Sequence, residues 1–133
     1  SVTEMVDQVM ALPDDTKIMI LAPVIRERKG EHTVLLEQLI GQGFVRVRVD
    51  GDVYDTDELP TLDKKKKHTI EVVVDRFKVR DDLGNRVAES LETALRLGQG
   101  LSLSHVCLVL TIHMAHAQAV MVLVNANISL LKN

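Results

Sequence analysis

Aromatic residues are scarce in this chain: Phe44, Tyr54 and Phe77 make up 2% of 133 residues, and there is no tryptophan. Proteins that bind single-stranded nucleic acid without sequence preference stack bases on aromatic rings, so the composition argues against that class. Any hydrophobic core must therefore be aliphatic, and 46% of the residues are hydrophobic. With 26% charged residues, the composition is typical of a globular domain rather than of a disordered chain.

Thiols and nucleotide-binding motifs are also lacking. The single cysteine, Cys107, excludes an intrachain disulfide and a zinc site made of several thiolates. Histidines at positions 105, 113 and 116 lie near it in sequence, but their spacing matches no zinc signature and no acidic residue is nearby to orient the rings. A metal site or a small enzyme built on these histidines is therefore the weakest interpretation. The absence of a G-x-x-x-x-G-K-[ST] loop predicts that this chain binds no nucleotide and is not an enzyme.

Charge is missing from the end of the chain. All 19 acidic residues and 15 of the 16 basic residues precede Gly100, and Lys132 is the one charged residue among residues 101–133. We therefore expect a charged, folded domain at residues 1–100, followed by a separate apolar tail. Polar residues in the middle of the tail argue against a membrane helix. Acidic residues near the N-terminus, where a secretion signal needs basic ones, indicate a cytoplasmic protein.

Hydrophobic periodicity predicts an α+β fold, in which three helices pack on a mostly antiparallel or mixed β-sheet. The predicted helices are Thr3–Leu12, with Thr3 as N-cap, Glu31–Ile40, and Asn85–Leu97, with Asn85 as N-cap. The predicted strands are Ile18–Ile25, which bends or ends near Pro23, Phe44–Val49 and Asp52–Asp55, joined by an Asp50-Gly51 turn, and His68–Arg80. Arg26–Gly30 is interpreted as a charged loop. In the last strand the apolar residues change parity near Asp75, which indicates a β-bulge or a change of packing partner.

The densest block of charge is a run of four lysines, which we call the lysine run: Lys64, Lys65, Lys66 and Lys67. A solvated loop is its ordinary interpretation, and contact with the DNA backbone is an alternative that the acidic residues just upstream oppose. Such mixed charge suits recognition of another charged protein.

We expect further docking residues on the exposed faces of two strands: Arg46 and Arg48 on the first, and Glu71, Asp75, Arg76 and Lys78 on the second. Asp75 and Arg76 are the central prediction, because the apolar phase changes there. Arginine makes bidentate contacts to a carboxylate that lysine cannot mimic. The competing interpretation is that Arg76 closes an intradomain salt bridge to Glu71 or Asp75.

Four ordered segments carry a resemblance to a known family: Ile20–His32, Gly43–Gly51, Asp63–Arg76 and Ser90–Leu97. Together they closely resemble the UvrB-binding domain of UvrA, a component of the bacterial UvrABC excinuclease, over about residues 1–100, whereas residues 101–133 do not match. The resemblance implies a non-enzymatic docking module of the nucleotide excision repair damage sensor, with UvrB and the transcription–repair coupling factor as partners. It implies ATP, zinc and DNA binding only for the full-length ABC-type ATPase, and no membrane partner. A basic element that contacts DNA within the same sensor is the alternative.

Overall fold

A computed structural model describes the backbone of residues 2–98, 107–114, 117–124 and 127–129, and the side chains of residues 2–98. The helices are α1 (Val2–Met10), α2 (Thr33–Gly41) and α3 (Gly84–Gly98). The strands are β1 (Lys17–Lys29), β2 (Arg46–Val49), β3 (Asp52–Asp55), β4 (Lys67–Lys78), β5 (Cys107–Met114), β6 (Ala117–Val124) and β7 (Asn127–Ser129). They form one sheet in the order β3-β2-β4-β1-β5-β6-β7, and every described pairing is antiparallel. The predicted α+β class is confirmed.

All three helices cover the same face of the sheet. Their buried side chains join those of β1, β2 and β4 in one aliphatic cluster. The helices contribute Met5, Val9, Leu36, Leu39, Val87, Leu91 and Ala94, and the strands contribute Ile18, Ile20, Ala22, Val47, Val49, Ile70 and Val72. Because side chains alternate along a strand, the residues between these point to the opposite side. We call the two sides the helix-covered face and the helix-free face.

A β-bulge lies at Val74 in β4. Ile20 of β1 pairs with Asp75, but the next residue, Leu21, pairs with Val73, which leaves Val74 unmatched in the described register. An extra residue of this kind changes the parity of the strand. The irregularity predicted near Asp75 is therefore confirmed.

The bulge decides which side of the sheet the last residues of β4 occupy. Val72 lies on the helix-covered face before the bulge, and Asp75 and Phe77 lie on it afterwards, opposite core residues of β1. Arg76 and Lys78 consequently point to the helix-free face. Two consecutive charged residues, Asp75 and Arg76, thus lie on opposite sides of the sheet.

Strand β1 continues beyond its predicted end. Of the Arg26–Gly30 segment, interpreted as a loop, all but Gly30 forms the last part of the strand, where Arg28 pairs with His68 and Lys29 with Lys67. The prediction relied on composition, and a run of charged residues is typical of a loop. In the structure, pairing with β4 determines how far β1 extends. Of the two alternatives predicted near Pro23, the strand does not end there, and a register shift between Pro23 and Ile25 marks an irregularity instead.

Pro23 is accommodated by its position in the sheet. A register shift separates Pro23 from Ile25 in the pairing with β4. On the other side of β1, the described pairing with β5 runs from Lys17 to Leu21, so Pro23 lies beyond it. A residue without an N–H donor fits at such a position, since no regular ladder bond is required of it.

Local boundaries differ slightly from the predictions. Neither predicted N-cap residue caps its helix, because α1 begins at Val2 and α3 at Gly84, so Thr3 and Asn85 lie inside. The first backbone bond of α3 runs from the Val87 N–H to the Leu83 carbonyl at 2.9 Å. The predicted hairpin is confirmed. The φ angles of 50° at Asp50 and 92° at Gly51 are both positive, as is typical of the two-residue turns that match the twist of the strands in a hairpin.

The structure contains no helix long and apolar enough to cross a membrane within the described residues. Much of the apolar tail forms strands β5 and β6, which extend the sheet from the edge of β1.

Candidate protein-docking surface

Five of the ten predicted docking residues share one side of the sheet. Register and alternation assign Arg46 and Arg48 of β2, and Glu71, Arg76 and Lys78 of β4, to the helix-free face. Asp75 points the other way, towards α3. The first three lysines of the run lie in the loop that leads into β4, and Lys67 begins that strand. The sequence therefore grouped residues of the helix-free face with one residue, Asp75, from the opposite side.

The middle of the helix-free face is buried. Leu21 is 0% exposed, and Val73 and Glu71 are each 8% exposed. The expectation that Glu71 lies on an exposed face was therefore wrong. Its neighbours across the sheet, Pro23 on β1 and Arg48 on β2, flank it on both sides.

Glu71 is committed to a contact within the chain. Its carboxylate lies 3.6 Å from the Arg48 guanidinium. Burial raises the pKa of Glu71, and the charges of Arg48 and Arg26 oppose that shift without cancelling it. Burial thus disfavours the charged form of the Glu71 side chain, and the nearby charges of Arg48 and Arg26 partly offset this effect.

Asp75 is held by residues of α3 that the sequence patterns did not reveal. Arg86 donates to its carboxylate at 2.7 and 3.0 Å, and Ser90 donates at 2.7 Å. Arg86 and Ser90 are four residues apart, so they lie on one side of the helix. Burial alone would raise the pKa of Asp75, but the hydrogen bonds from Arg86 and Ser90 outweigh it and lower the pKa.

The Arg86 guanidinium makes two further contacts that fix its position. It donates to the Arg76 carbonyl at 3.1 Å, and its central carbon lies 5.7 Å from the centre of the Phe77 ring. A cation placed over an aromatic face gains electrostatic attraction. The i, i+4 spacing in α3 was the available signal for Arg86 and Ser90, but nothing in the sequence indicates which strand they face.

The Arg76 side chain forms no salt bridge among residues 2–98. Glu71 pairs with Arg48 and Asp75 with Arg86, so the intradomain salt bridge of the competing interpretation is not formed. The exposed Arg76 side chain is free for an external carboxylate, while its backbone N–H donates to Asp75 at 2.8 Å.

Arg76 belongs to a cationic end of the sheet. Lys17 and Lys78 are directly paired across β1 and β4, and Arg76 is two residues from Lys78 on the same side. A pocket of about 540 Å³ lies there, lined by these three cations together with Ile18, Met19 and Phe77. Positive charge around an apolar lining suits a partner segment that carries carboxylates beside hydrophobic side chains.

The opposite end of the β1–β4 ladder is cationic as well. Lys67, the last residue of the lysine run, pairs directly with Lys29. The four lysines of the run are exposed. Their loop is ordered by Asp63, whose side chain accepts from the Lys65 N–H at 2.9 Å and whose carbonyl accepts from the Lys66 N–H at 3.1 Å.

His68, which follows the lysine run, is a further residue that the sequence patterns did not reveal. It is 6% exposed, and its two ring nitrogens each lie 2.7 Å from an oxygen: Nδ1 from Asp50 Oδ2, and Nε2 from the Asp63 carbonyl. The hydrogen bond to Asp50 is the largest cause of a raised pKa at His68, the bond to the Asp63 carbonyl adds to it, and burial opposes both. A lone histidine carries no sequence signal of such a network.

Arg46 pairs with Asp55 of β3 at 3.3 Å, and both side chains remain partly exposed.

The described residues include no group of histidine, cysteine and acidic side chains that could hold a metal ion. The side chains of Cys107 and of the histidines at positions 105, 113 and 116 lie outside the part that the structure describes.

Comparison with known proteins relates most of the chain to one family. The family model described as the UvrA interaction domain matches residues 1–106. UvrABC system protein A of Pseudomonas aeruginosa is 63% identical over 103 residues, which cover 77% of this chain and 11% of that protein. The Escherichia coli K12 protein of the same name is 59% identical over 100 residues, and that of Pasteurella multocida is 58% identical over 100 residues, each alignment covering 75% of this chain and 11% of the relative.

The chain therefore spans about 11% of the length of these relatives. The family match includes all three helices, strands β1 to β4 and every residue of the cationic surface described above. On that match, the chain belongs to the family of UvrA interaction domains.

Proposed function

We propose that this chain is the domain through which a UvrA protein docks UvrB during nucleotide excision repair. The family is described as an interaction domain, and the relatives are named as components of a UvrABC system, which supports a protein partner within that system. The observation that carries the proposal is Arg76: an exposed arginine, whereas the two acids considered as its salt-bridge partners, Glu71 and Asp75, are already paired with other arginines.

Like charges placed directly opposite each other support an acidic partner. Two lysine pairs lie at the two ends of the β1–β4 ladder, Lys17–Lys78 and Lys29–Lys67. Like charges directly opposite each other destabilise a sheet. An incoming acidic surface would relieve this repulsion. The same surface of UvrA would serve the UvrB-like module of the transcription–repair coupling factor, so the two partners should compete for it.

The proposed docking contact has a central and a peripheral part. Arg76 makes the bidentate contact to a partner carboxylate, next to the pocket at the end of β1 and β4. Arg48 and Glu71, paired inside the face, maintain the shape of the sheet beside it. The lysine run adds long-range attraction, which raises the association rate more than the affinity.

We further propose that the isolated chain requires no cofactor and does not hydrolyse ATP, because it lacks a phosphate-binding loop. ATP hydrolysis, zinc binding and DNA binding are then properties of the rest of the full-length UvrA protein.

DNA contact by the lysine run is the second candidate function. Four adjacent exposed lysines, next to the paired Lys29, favour it. Nearby acids weaken it, since Asp63 and Asp50 both contact this loop or the residue that follows it. Docking and DNA contact use different residues, so they can be tested separately.

The deciding experiment is a titration of the chain with UvrB, and separately with duplex DNA, by calorimetry. We expect Arg76→Glu to reduce UvrB affinity by at least about 30-fold, since losing one member of a desolvated charge pair costs about 2–5 kcal/mol. Arg96→Glu, the same charge change at an exposed position on α3, is the matched control and should bind normally. Unchanged affinity of Arg76→Glu, measured on a sample with normal thermal unfolding, would exclude the proposed surface. Tight DNA binding that is lost on substituting the lysine run would favour the second candidate.

A further inference from the structure

We propose that protonated His68 is a positioning residue that clamps the lysine run against the β2–β3 turn, and that loss of its proton releases the run. The clamp itself follows from the geometry around His68. Its consequence for UvrB binding rests on the proposed docking function.

The ring of His68 faces two hydrogen-bond acceptors. Oδ2 of Asp50 and the carbonyl oxygen of Asp63 each lie 2.7 Å from a ring nitrogen. A neutral imidazole has one N–H donor, whereas the protonated ring has two. Both short contacts can be hydrogen bonds only when the ring carries a proton on each nitrogen.

These two acceptors connect separate parts of the chain. Asp63 organises the lysine run through the backbone N–H groups of Lys65 and Lys66. Asp50 belongs to the β2–β3 turn and is joined to β4 by the Thr69 N–H, which donates to its Oδ1 at 2.8 Å. His68 therefore links the loop that carries the cations to the rigid hairpin.

The remaining charged groups around His68 come from three elements. Arg28 of β1 is its pairing partner, and Glu27 of β1 accepts a hydrogen bond from the Thr69 side chain at 3.1 Å. The His32 ring, just before α2, lies 6.2 Å from the His68 ring, and Lys67 precedes His68 in the chain. Most of these neighbours are cationic or neutral, so the carboxylate of Asp50, with a smaller contribution from that of Asp63, sustains the positive charge on the ring.

Loss of the proton forces a choice between the two contacts. A neutral ring that donates from Nδ1 keeps the bond to the Asp50 carboxylate, which is the stronger because the acceptor is charged. Its Nε2 lone pair then faces the Asp63 carbonyl, so that contact becomes repulsive. The loop is the part that is released.

The Asp50→Asn variant separates charge from geometry. An asparagine amide can accept from the Thr69 N–H and donate to Nδ1 of a neutral ring, which leaves Nε2–H to donate to the Asp63 carbonyl. We therefore expect this variant to keep the run clamped without a charge on His68. His68→Gln should release the run, and His32→Gln, which removes the neighbouring ring, is the matched control.

The test is limited digestion of the full chain with trypsin, followed by mass spectrometry of cleavage within the lysine run. At pH 7 we expect cleavage of His68→Gln to be roughly tenfold faster than that of the wild type, as fits the loss of one charge-assisted hydrogen bond. Asp50→Asn and His32→Gln should resemble the wild type. As the pH rises through the raised pKa of His68, the ratio of wild-type to Asp50→Asn cleavage should increase, and this ratio cancels the pH dependence of trypsin itself.

An NMR titration of the labelled wild-type chain provides a measurement that needs no variant. The His68 ring signals and the Lys65 and Lys66 amide signals should titrate together, with a midpoint above the ordinary histidine value of about 6.5. Amides that remain unchanged while the ring titrates would overturn the clamp, as would equal trypsin cleavage of His68→Gln and wild type. If the clamp is confirmed but His68→Gln binds UvrB normally, the link between the run and docking is wrong while the clamp stands.

Discussion

Arg86 of α3 donates two hydrogen bonds to Asp75 of β4, at 2.7 and 3.0 Å. This pair occupies the acid that is adjacent to Arg76 in the sequence, and the Arg76 guanidinium forms no salt bridge among residues 2–98. The bulge at Val74 determines which side each residue faces: it places Asp75 on the helix-covered face and Arg76 on the helix-free face. One charge thus contacts α3 within the domain, and the next is exposed on the other side of the sheet.

The first prediction concerns Asp75. The hydrogen bonds from Arg86 and Ser90 hold its pKa below its usual range, so its contribution to stability is present above the unfolded-state pKa of about 3.9 and is lost as the pH falls through the folded-state value. We expect Asp75→Asn to reduce the free energy of unfolding by about 1–3 kcal/mol at pH 7. Urea denaturation at pH 7 and pH 3 checks this, and the difference from wild type should shrink at pH 3. Asp81→Asn, at an exposed turn, should have little effect, and an equal loss there would contradict the role of the network.

The second prediction concerns Glu71, whose pKa is shifted in the opposite direction. Burial raises it against the pull of Arg48 and Arg26, so the folded state binds a proton more tightly than the unfolded state. Stability then falls as the pH rises from the unfolded-state pKa of about 4.3 through the folded-state value. We expect Glu71→Gln to raise the urea midpoint at pH 7, and this gain should diminish towards pH 4. A midpoint lowered as much as in Asp75→Asn would show instead that the Arg48 contact outweighs the cost of burial.

The sequence predicted the elements whose signal is local. Alternating valines identify β2, the Asp50-Gly51 pair identifies the turn, and the parity change in β4 identifies the bulge. What could not be predicted depends on partners distant in sequence. The end of β1 carries loop-like charges and is a strand only because β4 pairs with it. Likewise, no local pattern indicates that Arg86 reaches Asp75, eleven residues away, or that Glu71 is covered rather than exposed.

The third prediction concerns the lysine run. Exposed cations at the edge of an interface act mainly through long-range attraction, which salt screens over about 10 Å at 0.1 M. We expect Lys66→Gln to slow UvrB association severalfold at low salt and to have almost no effect at about 0.5 M salt. At that concentration the Debye length is only a few ångströms, so the attraction between distant charges is screened. Stopped-flow association at both salt concentrations measures this.

Arg76→Lys provides the contrast for the same measurement. It retains the charge but loses the bidentate geometry, so we expect faster dissociation at both salt concentrations. A salt-independent loss for Lys66→Gln would indicate that the lysine lies in the centre of the interface rather than at its edge.

The last prediction concerns truncation after Gly100. The described core consists of residues from α1, α2, α3, β1, β2 and β4 and their connections, all of which precede Gly100. The truncated chain should therefore unfold cooperatively, with a single transition seen by circular dichroism. It should also bind UvrB, since Arg76 and the lysine run are retained.

Truncation removes β5, however, and β5 pairs with Lys17–Leu21 of β1. An unpaired edge strand is a template for association with a second chain, and the charged Lys17 is one feature that opposes it. We expect the truncated protein to be folded but more prone than the full chain to self-associate at high concentration, as sedimentation velocity would measure. Loss of the cooperative transition would show that β5 completes the fold rather than protects its edge.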